Sequence, residues 1–289
     1  SESCLCRLIL TSLIAGVISK KITKEELLIV TAARQIKDHD VCVLGIGMPI
    51  LAGALAKKIH APRAVLLMES GIVDFHPVGL PVNVADATCT RGYGYATDLF
   101  SVFTTITYAG YLDKAFLGVG QIDKYGNINT SYLGMPPKAQ RITAAGGAPE
   151  FYGYAKETIL TMKGKGFVDK LPYLTSPGYL GGGDERERSG RYRPGSGPST
   201  LITPKGIFKF HSETKEMYLD ALFPGVTVEE VRADIPWDLQ VAETISSFPV
   251  PRDEEIDFLR RFSPSNSLPN AVALQMTTDN LLRKLATNR

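Results

Sequence analysis

The stretch "VCVLGIGMPILAGALAKKIHAPRAVLLME", residues 41–69, restricts the fold more than any other part of the chain. Four apolar residues, Val41 to Leu44, run into a glycine turn, Gly45-Ile46-Gly47. A helical stretch begins near Pro49, whose fixed φ suits the first turn of a helix. The run "AVLLME" follows and ends on Glu69. A strand, a helix and a second strand in so short a span read as a crossover between parallel strands, the unit from which an α/β sheet is built. "KAFLGVGQID" (Lys114 to Asp123) repeats the theme of an apolar strand meeting glycines.

The flanking sequence fits around this unit. "TKEELLIVTAARQIKDHD" has Thr23 as N-cap and Glu26 three residues on, a capping box, with Leu27, Val30, Ala33 and Ile36 at helical spacing and Asp38 to Asp40 as the stop. "GFVDKLPYLTSPGYL" and "STLITPKGIFKFH" read as further strands, "TVEEV" as a helix start, and "PRDEEIDFLRRF" as a short helix. "GYLGGGDERERSGRYRPGSGPS", between Gly178 and Ser199, reads as a long loop that covers a site or meets a partner. No repeat and no sharp linker divides the chain, so the organisation expected is an N-terminal segment, 1–22, and one domain, 23–289.

Composition narrows the function. The 289 residues carry a net charge of +2 with 21% charged residues, which argues against nucleic acid or an anionic membrane as the main partner. The apolar run in "CRLILTSLIAGV" is far shorter than the ~20 residues of a membrane span, and a partly buried helix or a leader remnant is the expectation there. Cys4, Cys6, Cys42 and Cys89 match no zinc spacing and no disulfide scaffold, so a reducing, cytoplasmic setting is expected.

Glu69 is the residue that asks for an explanation. A carboxylate at the end of an apolar strand is costly to desolvate, yet strand C-terminal ends are where open α/β sheets gather ligands. Gly71, just beyond, leaves room for another molecule to approach. The bland alternative is a carboxylate that faces water. "GIGMPILAG" misses the dinucleotide spacing of glycines, so its turn serves either a tight strand-to-helix connection or an anion or thioester at the helix start. In "TAAGGAPEF", Gly146 and Gly147 offer exposed backbone N–H groups, the raw material of an oxyanion hole. A carboxylate nucleophile near such donors points to acyl transfer through a covalent intermediate. Ser70, His76, Arg91, Tyr93, Tyr95 and Gln121 add polar content. His76 is either a general base or structural. Arg91 either binds a second substrate carboxylate or sits on the surface beside Asp86 or Asp98.

Taken in order, "TAARQIKDHD", "GIGMPILAGALAKKIHAP", "MESGIVDFHPVGLP", "GVGQIDKYGNINTSYLG", "AAGGA", "YLTSPGYLGGGDERERSG" and "TPKGIFKF" make the chain resemble the family I CoA-transferases, within them the B-type subunit of the glutaconate kind. The resemblance spans all but about the first twenty residues. It implies a doubly wound, mostly parallel α/β sheet flanked by helices. It also implies that Glu69, in the E-S-G motif, attacks an acyl-CoA thioester and becomes a glutamyl-CoA thioester, with the backbone at Gly147, Gly146 and Ala148 as oxyanion donors. Coenzyme A would be a substrate rather than a permanently bound cofactor, and no metal is implied. A homologous A-type subunit would complete a hetero-oligomer, with Gly181 to Arg193 a candidate contact. A dicarboxylate or oxoacid such as glutaconate is the expected acid, with Arg91 and Gln121 as candidate contacts. The rivals are hydrolysis of an acyl-CoA or cyclic diketone on the same scaffold, and a non-catalytic subunit that completes a partner's site.

Overall fold

Thr23 starts a helix. Its hydroxyl accepts from the Glu26 N–H at 3.1 Å, and the Glu26 carboxylate accepts from the Thr23 N–H at 2.8 Å. A computed structural model describes residues 22–81, 83–134, 137–248 and 250–262, so the expectations for the N-terminal apolar run fall outside the described residues. Helix α1 spans Lys24–Ala33. It stops short of the expected Asp40 because the Asp40 carboxylate accepts from the Lys37 N–H at 2.7 Å, a local bond that competes with helix continuation.

The crossover unit forms as the sequence indicates. Strand β1 (Val41–Leu44), helix α2 (Met48–Ile59) and strand β2 (Val65–Leu67) follow in turn, with β1 and β2 parallel and Val43 opposite Leu67. The chain then turns back through two short antiparallel strands, β3 (Ile72–Val73) and β4 (Tyr95–Ala96). Helix α3 follows, α-helical over Leu99–Ser101 and π-helical over Val102–Tyr108. Strand β5 (Lys114–Gly118) pairs on the other side of β1, in parallel, with Val43 opposite Ala115. Two small ribbons come next, β6 (Gln121–Ile122) with β7 (Ile128–Asn129), and β8 (Tyr132–Leu133) with β9 (Gln140–Arg141). Helix α4 (Ala148–Tyr154) leads into β10 (Glu157–Thr161), parallel to β5.

Helix α5 (Glu185–Arg188) precedes β11 (Pro198–Ile202), which is parallel to β10, and the antiparallel β12 (Gly206–Phe210) and β13 (Met217–Leu222) follow. Helix α6 (Val228–Arg232), β14 (Gln240–Ser247) and helix α7 (Asp253–Phe262) complete the described chain. The main sheet has ten strands in the order β14-β13-β12-β11-β10-β5-β1-β2-β3-β4. From β1 the sheet grows one way to β2, and from β5 it grows the other way to β10 and β11. This is a doubly wound parallel centre with antiparallel flanks, and its switch point lies between β1 and β5.

Both faces are covered, which is why the central strands read as continuous apolar runs. On β10, Ile159 joins the core under α1, α2 and α7, while its neighbour Leu160 faces the opposite layer with Leu117, Tyr152 and Leu201. Val43 and Leu67 pack with Val102 of α3 and Phe151 of α4. No helix among the described residues is long and apolar enough to cross a membrane.

One expectation is corrected and a second refined. The run 166–180 forms no strand; it touches the ribbons only through single bridges, Phe167 to Ile122 and Ser176 to Ile128. Pro172 and Pro177, which cannot donate to a ladder, account for that. The Arg/Gly-rich stretch is loop over most of its length, as expected, but it is interrupted and anchored. It holds α5, and Arg186 is buried, donating to the carbonyls of Pro177, Gly178 and Tyr152 and to Ser196 Oγ at 2.7–3.1 Å.

Candidate active site

Glu69 lies in a hairpin turn rather than on the strand itself. The Met68 N–H donates to the Ile72 carbonyl at 2.9 Å and the Gly71 N–H to the Met68 carbonyl at 3.0 Å, which closes a three-residue loop 69–71 between β2 and β3. Gly71 supplies the positive φ, 107°, that such a loop needs. The space beside it is not left for another molecule. A Cβ there would stand 2.1 Å from the Thr97 carbonyl oxygen, because the backbone after β4 folds tightly against the turn. The lack of a side chain at 71 is what lets Thr97 pin the loop that carries Glu69.

The turn presents a half-buried carboxylate to the loop before α4. Gly147, the N-cap of α4, donates its N–H to Glu69 Oε2 at 3.3 Å. Gly146 has φ 52°, and a Cβ at that position would lie 3.6 Å from the same oxygen. The loop is held from below. Thr143 donates its hydroxyl to the Thr130 carbonyl at 2.6 Å, and the N–H groups of Ile142 and Thr143 donate to the carbonyls of Ser131 and Thr130. Thr130 is tied in turn to Thr175, whose hydroxyl accepts its N–H at 2.9 Å. The donor facing Glu69 is therefore fixed before any ligand arrives.

Both groups open onto a cavity of about 850 Å³, within the size usual for a ligand site. Its walls come from the C-terminal ends of β1, β5 and β10, from the glycine turn Gly45–Gly47 and the start of α2, and from the 142–148 loop. This is the crevice at the switch point, where doubly wound sheets bind ligands. Most of the lining is apolar, with Leu80, Val84, Val119, Ile142 and Phe151 prominent. Thr130, Thr143 and Thr161 add hydroxyls, and the charged side chains among the described lining residues are Glu69 and Lys163.

The remaining candidates are placed differently: Ala148 lines the cavity, whereas Gln121, Arg91 and His76 do not. The Ala148 N–H donates to the Ala145 carbonyl at 3.0 Å, so it is turned into its own loop and away from Glu69. Gln121 does not line the cavity; its amide oxygen accepts from Asn129 Nδ2 at 2.8 Å and braces the β6–β7 ribbon. Arg91 is exposed and off the cavity lining. His76, also exposed, has its Nδ1 at 3.1 Å from the Gly92 carbonyl oxygen, a bond that shapes the loop. The segment around α3 acts on the cavity indirectly, since Phe103 packs on Phe151 with ring centroids 5.1 Å apart. Lys163 went unnoticed in the sequence because nothing local to "TMKGKGF" marks it. Only the pairing of β10 with β5 brings it to the crevice.

A carboxylate on a tight turn, a pre-placed N–H at its oxygen and a long apolar cleft form an acyl-handling geometry. Residues 26–234 match the family described as Coenzyme A transferase. The chain belongs to the coenzyme A transferase family. It is 37% identical over 238 residues to the B subunit of 3-oxoadipate CoA-transferase from Pseudomonas knackmussii, covering 81% of this chain and 91% of that protein. It is 36% identical over 237 residues to the B subunit of glutaconate CoA-transferase from Acidaminococcus fermentans, covering 77% and 86%. The crystal structure of glutaconate coenzyme A-transferase from the same organism superposes with a TM-score of 0.77 at 34% identity, over 84% of this chain and 95% of that one. The decarboxylase AibA/AibB shares the fold at 22% identity, with a TM-score of 0.72 over 87% of this chain and 99% of its own. This coenzyme A transferase chain thus has the B-type relatives, the α/β fold and the cleft of a protein that moves CoA between an acyl-CoA and a carboxylic acid.

Proposed function

We propose that this chain is the B-type subunit of a heteromeric, cytoplasmic CoA-transferase, folded as one domain, in which Glu69 is the covalent nucleophile. The observation that carries the reading is the Gly147 N–H held 3.3 Å from Glu69 Oε2 inside the switch-point cavity. A Glu69 carboxylate oxygen attacks the thioester carbonyl, the C–S bond breaks, and an acyl–glutamyl anhydride and CoA thiolate result. The thiolate attacks the glutamyl carbonyl and expels the acyl group as its carboxylate, leaving Glu69 as a CoA thioester. An acceptor carboxylate then attacks that thioester, thiolate leaves, and the thiolate takes the new acyl group from the anhydride, which restores Glu69.

In each addition to the glutamyl carbon, negative charge collects on one glutamyl oxygen. A donor already 3.3 Å away is placed to stabilise it as it forms. The apolar walls exclude the water that would hydrolyse anhydride or thioester, which favours transfer over hydrolysis. Coenzyme A is here a substrate and a covalent partner, not a resident cofactor. Two relatives are named for the B-type half of a transferase, which supports a homologous A-type partner. The same relatives, one named for 3-oxoadipate and one for glutaconate, support a dicarboxylate or oxoacid substrate. The test is trapping. Acyl-CoA followed by borohydride should convert Glu69 to its alcohol and lower the mass of the peptide that carries it. An unmodified Glu69 under turnover conditions refutes the covalent route.

A further inference from the structure

One residue of the cavity wall is a lysine that the transfer chemistry leaves without a role. Lys163 emerges at the C-terminal end of β10, directly after the buried Met162, and lines the same cleft as Glu69. Its ammonium is paired with Glu25 of α1, but half of the Lys163 side chain and 30% of Glu25 remain exposed. So wet a pair holds weakly. A lysine stem carries three donors on four flexible carbons, so it exchanges one anionic partner for another at little cost. Meanwhile the rest of the described lining is chiefly methyl groups and ring carbon, and the cavity's other charged side chain is the carboxylate of Glu69. An anionic group that left water for this cleft would meet Glu69's negative charge unless Lys163 answered it.

We propose that Lys163 is the specificity-determining anion anchor of the cleft: it leaves Glu25 and binds the anionic group of the substrate that is remote from the reacting carbonyl. That group is either a second carboxylate on the acid or a phosphate of coenzyme A, since an ammonium takes both. Which end of the ligand is remote rests on Glu69 being the nucleophile. The role imagined for Arg91 from the sequence passes to a residue that is on the cavity.

The assembled enzyme is titrated calorimetrically with two matched pairs, glutarate against butyrate and coenzyme A against pantetheine. In Lys163→Met the dissociation constant of glutarate or of coenzyme A should rise about tenfold or more, as for the loss of a hydrogen bond to a charged group, while its matched partner is unchanged. Lys163→Arg should restore most of that loss. The pair that separates identifies the group bound. Equal weakening of all four probes, or no change in any, overturns the proposal. Glu25→Gln removes the competing carboxylate and should tighten the same ligand; weaker binding or no effect there overturns it as well. None of these readings needs turnover. Borohydride trapping on Lys163→Met reports separately on Glu69, so a failure of the covalent route is not mistaken for a failure of the anchor.

Discussion

Because Glu69 rides on a three-residue turn pinned by Gly71 against Thr97, its reach is set by its own side chain. Glu69→Ala should cost at least about three orders of magnitude in turnover while the thermal midpoint stays close to wild type, as for other covalent nucleophiles. Glu69→Asp should be nearly as poor, since the retreat of about one methylene spoils near-attack geometry. A folded Glu69→Ala protein with normal rates would remove the nucleophile assignment. The two glycines opposite should separate in effect. A methyl at 147 would stand 2.7 Å from Phe103 and 2.8 Å from Phe151. Gly147→Ala should therefore displace the donor and lose about 10²–10³ in turnover, the usual cost of an oxyanion contact. A methyl at 146 meets only ordinary contacts, so Gly146→Ala should cost about 1–2 kcal/mol through its positive φ and leave the N–H of Gly147 in place. Melting curves and rates measured on both variants settle this. At this scale the sequence showed the motif residues Glu69 and Gly147 but not the ones that tertiary pairing selects. Ala148, Gln121 and Arg91 were candidates beside them, and where each stands became visible only with its hydrogen bonds and exposure.

Helices and strands carry the site, and α7 shows how the layers are locked. Arg34 on the end of α1 donates to Glu255 at 2.7 Å, and Arg260 donates to Glu26 at 2.6 Å, so two ion pairs clamp α7 across α1. Burial pushes both carboxyl pKa values up, but hydrogen bonds from Arg260 and Thr23 at Glu26, and from Arg34 and Arg252 at Glu255, outweigh it and leave both lowered. A lowered folded-state pKa means that each carboxylate stabilises the native state above its unfolded pKa of about 4.3 and ceases to do so as pH falls through the folded value. Stability should thus be level from neutrality to about pH 5 and fall below it. Arg34→Ala, which leaves the buried Glu255 carboxylate with Arg252 but without its ion pair to α1, should cost about 1–3 kcal/mol and flatten that acid limb. Urea titrations at pH 7 and pH 4 measure both, and an unchanged acid limb in the variant would mean that other carboxylates set it. Elements with their own signals were legible in the sequence: the Thr23 capping box, the β1–α2–β2 unit, the helix start at "TVEEV", and the helix of α7. The failures were the prolines of 166–180, which mimic a strand by apolar content alone, and Arg186, which resembles a solvated residue until Tyr152 and Ser196 enclose it.

Across the whole molecule, the cavity opens at the sheet's switch point, and the heteromeric reading proposed for it makes a prediction about a second chain. The chain purified alone and assayed with CoA esters and acetate should show no transfer, and co-expression with its A-type homologue should restore it. Robust activity from the chain by itself would overturn the heteromeric reading. The doubly wound centre also has a temporal side. Glu69 and the N–H that faces it are 78 residues apart in sequence, and the crevice between them has walls only when β5 and β10 have joined β1. Such distant pairings are the slow part of folding. A nascent chain that has delivered the glutamate of the turn after β2 still has no pocket, and it exposes the edge of β1 until β5 emerges. Refolding in the presence of the A-type partner and acyl-CoA, followed by borohydride trapping, should therefore recover reactivity in the slowest phase, well after the helices have formed.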